Sequence, residues 1–410
     1  MNRYRPILDW IDAQANRMGR LVIEWARINS GSRNLAGLAQ MAAALKPHLA
    51  ALGGELREVE LQPDQTIDSR GNLASAPVGK ALLSVKRPDA QLRVFLGIHM
   101  DTVYGADDPF REVAPIDANT LRGPGVVDAK GGLAVMLVAL EALERSELAS
   151  GIGWEVLINP DEEIGSPGSS PLFAEAAKRN HLGLVFEPTF PDGAMVSERK
   201  GSGNFSVVVR GRAAHAGRDF HAGRSAIAAA ADLVVGVDAF NRIIPDVTVN
   251  FGAIDGGGPV NVVPDLAIVR LNARVARPDD MSRIETELRR IASEVAGRRD
   301  VSIEVHGRFA SPPKILDEPT RGLCEQIASC ARELGLRVAW RSSGGASDGN
   351  KLAAAGLPVV DTMGPRGGNL HSPQEYLLLD SLAERAQLAT LVLMKLAAGE
   401  IAVARERKPS

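Results

Sequence analysis

The sequence predicts an α/β protein in which a mostly parallel sheet flanked by helices is interrupted by an inserted α+β sandwich. Three observations carry this. Compact apolar runs of strand length, Leu92–Ile98, Trp154–Asn159 and Leu182–Phe186, alternate with helical stretches, as in a sheet buried on both faces. Between residues 196 and 311 the pattern changes to half-exposed strands and helices with polar faces. After Ser311-Pro312-Pro313 the first pattern resumes.

Taken in order, Pro6–Asn29 reads as one amphipathic helix, and Leu35–Leu52 as another, ended by Gly53-Gly54. An irregular stretch leads to the Leu92–Ile98 strand, and a long loop leads from there to the apolar helix Gly132–Arg145. In the middle, Asn204–Arg210 and Asp265–Ala276 read as strands, Arg224–Phe240 and Asp279–Ala296 as helices, and Val301–Gly307 as a closing strand. The stretch as a whole is read as a split β-α-β-β-α-β unit, of whose four strands these are the three that the pattern marks, bounded by Glu187-Pro188…Pro191 and Ser311–Pro313. Helix Glu318–Leu334, strands Val338–Arg341 and Leu357–Asp361, and a helix after Leu379 complete the outer unit. The expected division is 1–195 with 312–410 for the outer domain and 196–311 for the insert, with Arg405–Ser410 frayed.

Composition narrows the function. Of 410 residues, 47 are basic and 50 acidic, a net charge of −3 without the basic excess of a nucleic-acid binder. Aromatic residues make up 4%, too few for base-stacking platforms. With two cysteines and seven histidines, neither a disulfide framework nor a thiolate zinc finger is available, so a metal site must use His and carboxylates. Met1–Arg20 has no apolar signal core, and no run of 18 apolar residues occurs. The expectation is a cytoplasmic protein without membrane contact.

The polar residues of interest gather where strands end. His99 and Asp101 follow Leu92–Ile98 and share a face of an extended chain. Asp128 sits in the glycine-dense Gly123–Gly132, and Asp161-Glu162-Glu163 follows the second strand. Glu187 ends the third strand, and His371 follows the Gly-rich loop Gly364–Gly368. Each has a plain structural explanation alone: a hydrogen-bonded core histidine, a helix N-cap, a solvated acidic loop. Ligands of open α/β sheets bind at the carboxyl ends of the strands, and five separate segments deliver these groups there. Two histidines with several carboxylates suit two divalent ions sharing one carboxylate.

With HMDTV at 99–103, GPGVVDAKGG at 123–132, NPDEEIGSPGS at 159–169, FEPT at 186–189, GRAAHAG at 211–217, Asp348 and LHS at 370–372, the chain resembles the M20 metallopeptidase family. It is most similar to the glutamate carboxypeptidase branch, with acetylornithine deacetylase and succinyl-diaminopimelate desuccinylase as relatives. The resemblance implies a zinc-exopeptidase-like catalytic domain with a ferredoxin-like insert that acts as lid and dimerises. It implies two divalent ions, Zn²⁺ or alternatively Co²⁺ or Mn²⁺, one held by His99, Asp128 and Glu187 and one by Asp128, Glu163 and His371. Asp101 would orient His99, and Glu162 would be the general base. His215 would reach the partner's active site and donate to the oxyanion. Asn261 and Arg274 would grip the α-carboxylate of a small peptide or N-acyl amino acid. His221 lies in the same phrase as His215 and competes for its role. Ala129, where relatives often carry an acid or Met, is not an expected ligand.

Two rivals come from other classes. Gly345-Ala346-Ser347-Asp348-Gly349 satisfies the nucleophile-elbow pattern, with Asp361 and His371 after it. No helix with an apolar face is expected to begin at Gly349, and that reading leaves His99, Asp128, Glu162, Glu163 and Glu187 without a task. A non-catalytic binding homologue would need a lost ligand or base, and none is missing. Lys200 reads as a strand-edge lysine, His48, His181 and His306 as structural or surface groups, and Cys324 and Cys330 as buried free thiols.

Overall fold

The structure, a computed structural model, describes residues 1–403, so Arg405–Ser410 lies outside the described residues. Its main sheet has six strands in the order Glu55–Val59, Ala81–Lys86, Gly153–Asn159, Arg93–His99, Leu182–Val185, Val359–Val360. The last four run parallel, and the first two are antiparallel. All seven residues of Gly153–Asn159 are buried, because helices cover both faces. On one face Val94, Leu96 and Ile98 pack into the large core with helices Gly132–Arg145 and Asp380–Ala397. On the other, Phe95 and Leu157 meet Phe173 and Leu352, from helices Ser170–Arg179 and Asp348–Ala354.

The insert builds its own core. Strands Thr248–Gly256, Leu266–Val275, Gly201–Arg210 and Ser302–Ser311 form an antiparallel sheet in that spatial order. Helices Ala226–Asp238 and Pro278–Arg299 cover one face, with Phe205, Val207, Val269, Leu233 and Leu288 between. The other face looks onto the outer domain and mixes polar groups such as Asn204, Ser206 and Asn272 with Val208 and Ile268, which pack on Ile67. The two chain crossovers run side by side, since Arg199 and Lys314 exchange both backbone hydrogen bonds at 3.0 Å.

Three expectations are corrected here. The opening helix is two, Arg5–Asp12 and Ala15–Ala26; no Gly or Pro marks the break, so periodicity runs through it. The stretch read as irregular holds Glu55–Val59 and Ala81–Lys86, and the charged edge strand Glu55-Leu56-Arg57-Glu58-Val59 has no apolar run to betray it. A helix does begin at the elbow-like pattern: Asp348–Ala354, with Ser347 and Asn350 forming a capping box.

Candidate metal centre

One candidate ligand ends a strand, and the others sit in the loops beyond the strands. His99 is the last residue of Arg93–His99 and is 1% exposed. Asp128 follows Gly125, whose φ of 71° turns the chain so that Asp128 points back at the sheet. His371 sits in a tight loop with φ of 59°, left-handed backbone that is costly for most non-glycine residues.

These residues converge. His99 Nε2 lies 3.0 Å from Asp128 Oδ1 and 3.8 Å from Glu187 Oε1. His371 Nε2 lies 3.5 Å from Asp128 Oδ2 and 3.2 Å from Glu163 Oε2. The two oxygens of one carboxylate therefore face two different histidines. His99, Asp128 and Glu163 also offer atoms all within 4.8 Å of one another, so the two groups are contiguous. Asp128, Glu162, Glu163, Glu187 and His371 line a cavity of about 450 Å³. A larger cavity, about 840 Å³, lies between the insert's sheet and the loop around Ile164–Ser170 and contains none of these ligands.

The protonation of the cluster reflects crowded negative charge. Burial pushes Glu187 up to about 8, and burial also raises Glu163. Burial and the Glu187 charge push Glu162 well above the ordinary carboxyl range. Hydrogen bonds to Asp128 and Glu163 lift His371 to about 11. Burial alone would lower His99, but the Glu187 charge and the contacts with Asp101 and Asp128 outweigh it and raise it. Asp128 is held low: burial opposes this, and the bonds from His371 and His99 prevail.

The donor set fits divalent cations on three counts. Glu187 Oε1 is buried without a hydrogen-bond partner. Zn²⁺ bonds of about 2.0–2.1 Å at tetrahedral angles separate neighbouring ligand atoms by about 3.3 Å, and the observed separations of 3.0–3.8 Å bracket that value. Histidine and carboxylate donors are also those that Zn²⁺, Co²⁺ or Mn²⁺ accept.

Asp101 is fully buried and does two jobs. His99 Nδ1 lies 3.1 Å from its backbone carbonyl and 3.3 Å from its carboxylate, which fixes the ring so that Nε2 faces the centre. The same carboxylate accepts the backbone N–H groups of Glu162 (3.2 Å) and Glu163 (3.1 Å) and the hydroxyl of Ser32 (2.7 Å). Among the described residues the Glu162 carboxylate has no hydrogen-bond partner, and Glu162 lines the cavity.

The expected substrate-side residues lie elsewhere. Arg274 projects from the cleft face of the insert, with Nε donating to Asn272 at 2.8 Å and Nη1 to the Gly344 carbonyl at 3.5 Å. His215 and Asn261 are exposed neighbours on the insert and do not line the metal cavity. His215 Nδ1 accepts the N–H groups of Gly217 and Arg218, each at 3.1 Å, which leaves Nε2 as the protonated, outward donor. The His221 ring packs edge-on against Phe220. Lys200 is held by the Asp246 carbonyl at 2.7 Å. The Ser347 hydroxyl is buried against Asp361 and caps its helix, and makes no hydrogen bond to a histidine.

Sequence reasoning missed Glu375, Tyr104, Lys130 and Arg199, all packed against the centre or its loops. The available signals were small: an acid four residues beyond His371, and a lysine inside the Asp128 phrase. Lys130 is fully buried, bonds to Ser30 Oγ and to the Met100 carbonyl, and is pushed down to about 8 by burial.

Known proteins agree with this picture. Residues 95–395 match the model of peptidase family M20/M25/M40. Carboxypeptidase G2 of Pseudomonas sp. is 30% identical over 360 residues, covering 85% of each chain. A succinyl-diaminopimelate desuccinylase of Nitrosospira multiformis is 27% identical over 327 residues, covering 75% of this chain and 84% of that protein. The crystal structure of aminopeptidase PepT from Bacillus cereus superposes with a TM-score of 0.70 at 23% identity, covering 93% of this chain and 99% of that one. The M20 family metallo-carboxypeptidase Sso-CP2 from Sulfolobus solfataricus shares the fold with the same TM-score, at 16% identity and the same coverage. With its fold, a cluster of His and carboxylate side chains able to hold a metal ion, and these relatives, the chain is a hydrolytic enzyme and belongs to peptidase family M20/M25/M40.

Proposed function

We propose that the chain is a two-metal amidohydrolase that cleaves a small peptide or N-acyl amino acid bearing a free α-carboxylate. The observation that carries this is the Asp128 carboxylate, with one oxygen facing His99 and the other facing His371. His99, Asp128 and Glu187 would hold one divalent ion, and Asp128, Glu163 and His371 the second. When bound, such a pair supplies Lewis acidity and acidifies a water molecule.

The chain's own groups do the rest. Glu162, raised by burial and lining the cavity, takes a proton from the attacking water. As the carbonyl carbon gains the hydroxyl and the C–N bond breaks, the same carboxyl returns the proton to the leaving amine. His215 offers its Nε2–H to the developing oxyanion. Arg274, with Asn261, grips the α-carboxylate through its planar fork.

His215 and Asn261 are exposed and stand off the cavity, which supports a homodimer in which each insert serves its partner's site. Ile227 and Val235 on the Ala226–Asp238 helix and Ile254 on the edge strand are exposed, at 44%, 72% and 55%, an apolar surface suited to such a contact. The domain division at 1–195 with 312–410 and 196–311 belongs to the same reading, since the insert has a separate core. Among the described residues no helix is long and apolar enough to cross a membrane.

The desuccinylase relative favours one variant of this reading, removal of an acyl group from an amino acid instead of a C-terminal residue from a peptide. Both are tested by stripping the protein with a chelator, restoring it with Zn²⁺, and assaying dipeptides and N-acyl amino acids varied on each side of the amide. The restored protein should hydrolyse one set and the stripped protein none. Hydrolysis that persists without metal would reject the proposal.

A further inference from the structure

One carboxylate outside the ligand set joins three of the ligand-bearing loops. Glu375 is 1% exposed. Its Oε1 accepts the backbone N–H groups of Val127 (3.0 Å) and Asp128 (3.1 Å). Its Oε2 accepts the N–H of Gly125 (3.0 Å) and the hydroxyl of Tyr104 (2.8 Å). Its backbone N–H donates to the Ser372 carbonyl at 3.0 Å, and its carbonyl accepts from Gly123 at 3.2 Å. Tyr104 ends the loop that leaves His99, Ser372 follows His371, and residues 123–128 carry Asp128.

The chain leaving Gly125 is not regular: Asp128 has φ −117° and ψ 87°, and the N–H groups of Gly125, Val127 and Asp128 find their acceptor in Glu375. Buried N–H groups need such an acceptor. Four donors converging on one side chain call for a group that only accepts, which a carboxylate is and an amide is not.

We propose that Glu375 is a positioning residue that sets the aim of the shared Asp128 carboxylate and seats His371 against it. This rests on reading the cluster as a metal centre. Glu375 touches neither ion nor substrate and acts through the backbone of Asp128 and the turn after His371. Glu375→Gln keeps size and shape but turns an NH₂ toward an N–H donor. Tyr104→Phe removes one donor and keeps the ring that packs on Phe110.

The test measures Zn²⁺ affinity by competition with a chelating dye, the visible spectrum of the Co²⁺-loaded protein, and kcat against KM. Loss of an outer-shell partner lowers metal affinity by roughly 10–100-fold. Glu375→Gln should show that loss, a changed Co²⁺ spectrum, and reduced kcat with little change in KM; Tyr104→Phe should shift the first two the same way, by less. If Glu375→Gln does not fold, Tyr104→Phe decides. Folded variants with wild-type Zn²⁺ affinity and Co²⁺ spectrum, altered only in melting temperature, would overturn the proposal. A wild-type chain that binds no Zn²⁺ would instead overturn the metal reading, and this proposal with it.

Discussion

Asp101 and Arg274 show how far single residues can be read. The spacing of His99 and Asp101 announced a histidine with an acidic neighbour, and the structure adds that the same carboxylate holds the backbone of Glu162 and Glu163. That second job depends on a contact across about 60 residues of chain, which no local pattern encodes. Glu375 was invisible for the same reason, since its partners are backbone N–H groups nearly 250 residues away. Arg274 is partly covered, and burial lowers it from its ordinary value, so a substrate carboxylate arriving there meets a poorly solvated guanidinium. Arg274→Ala should therefore raise KM for substrates with a free α-carboxylate by about 10-fold or more, the worth of a charge-assisted bond. Equal losses on amide-capped substrates, in steady-state kinetics of both sets, would remove Arg274 from that role.

At the scale of elements, the buried strands were legible because continuous apolar runs such as Trp154–Asn159 have few other uses in a soluble chain. The charged edge strand Glu55–Val59 and the exposed edge strand Thr248–Gly256 were not, since neither buries a full face. The crossovers between domains were marked by prolines, but the device that fixes them was not. There Asp361, fully buried, meets Arg199 at 2.8 Å and Lys314 at 3.0 Å, one cation from each crossover. Burial alone would raise the Asp361 carboxyl; Arg199 and Lys314 outweigh it and hold it below its ordinary value. A carboxyl lowered on folding stabilises the native state above its unfolded pKa, and that contribution fades as pH falls through the folded value. Asp361→Asn should cost about 3–5 kcal/mol at neutral pH, because two buried cations lose their partner. The gap from wild type in urea unfolding should narrow below about pH 4. A variant equal to wild type at pH 7 would refute this.

For the whole molecule, the split architecture was legible from the change in pattern and its return. The expected homodimer came from the family resemblance and stays a proposal, because it depends on surfaces that a single chain leaves open. If each active site combines its own Glu162 with the partner's His215, two inactive variants can complement each other. Mixing Glu162→Gln with His215→Ala under subunit exchange should restore about a quarter of wild-type activity, since half the dimers are mixed and each of those has one complete site. No recovery, in a mixture shown by sedimentation to have exchanged, would place His215 in its own chain's site, and near wild-type activity of His215→Ala by itself would place it outside catalysis.

In the proposed mechanism most of the chemistry rests on Glu162, which lines the cavity without belonging to the proposed ligand set. The most direct measurement is therefore metal content and turnover on the same sample of Glu162→Gln. Elemental analysis should find two divalent ions per chain, as in wild type, with kcat lowered by about 10²–10⁴-fold, the usual worth of a positioned general base. Turnover near the wild-type rate with both ions bound would contradict the account.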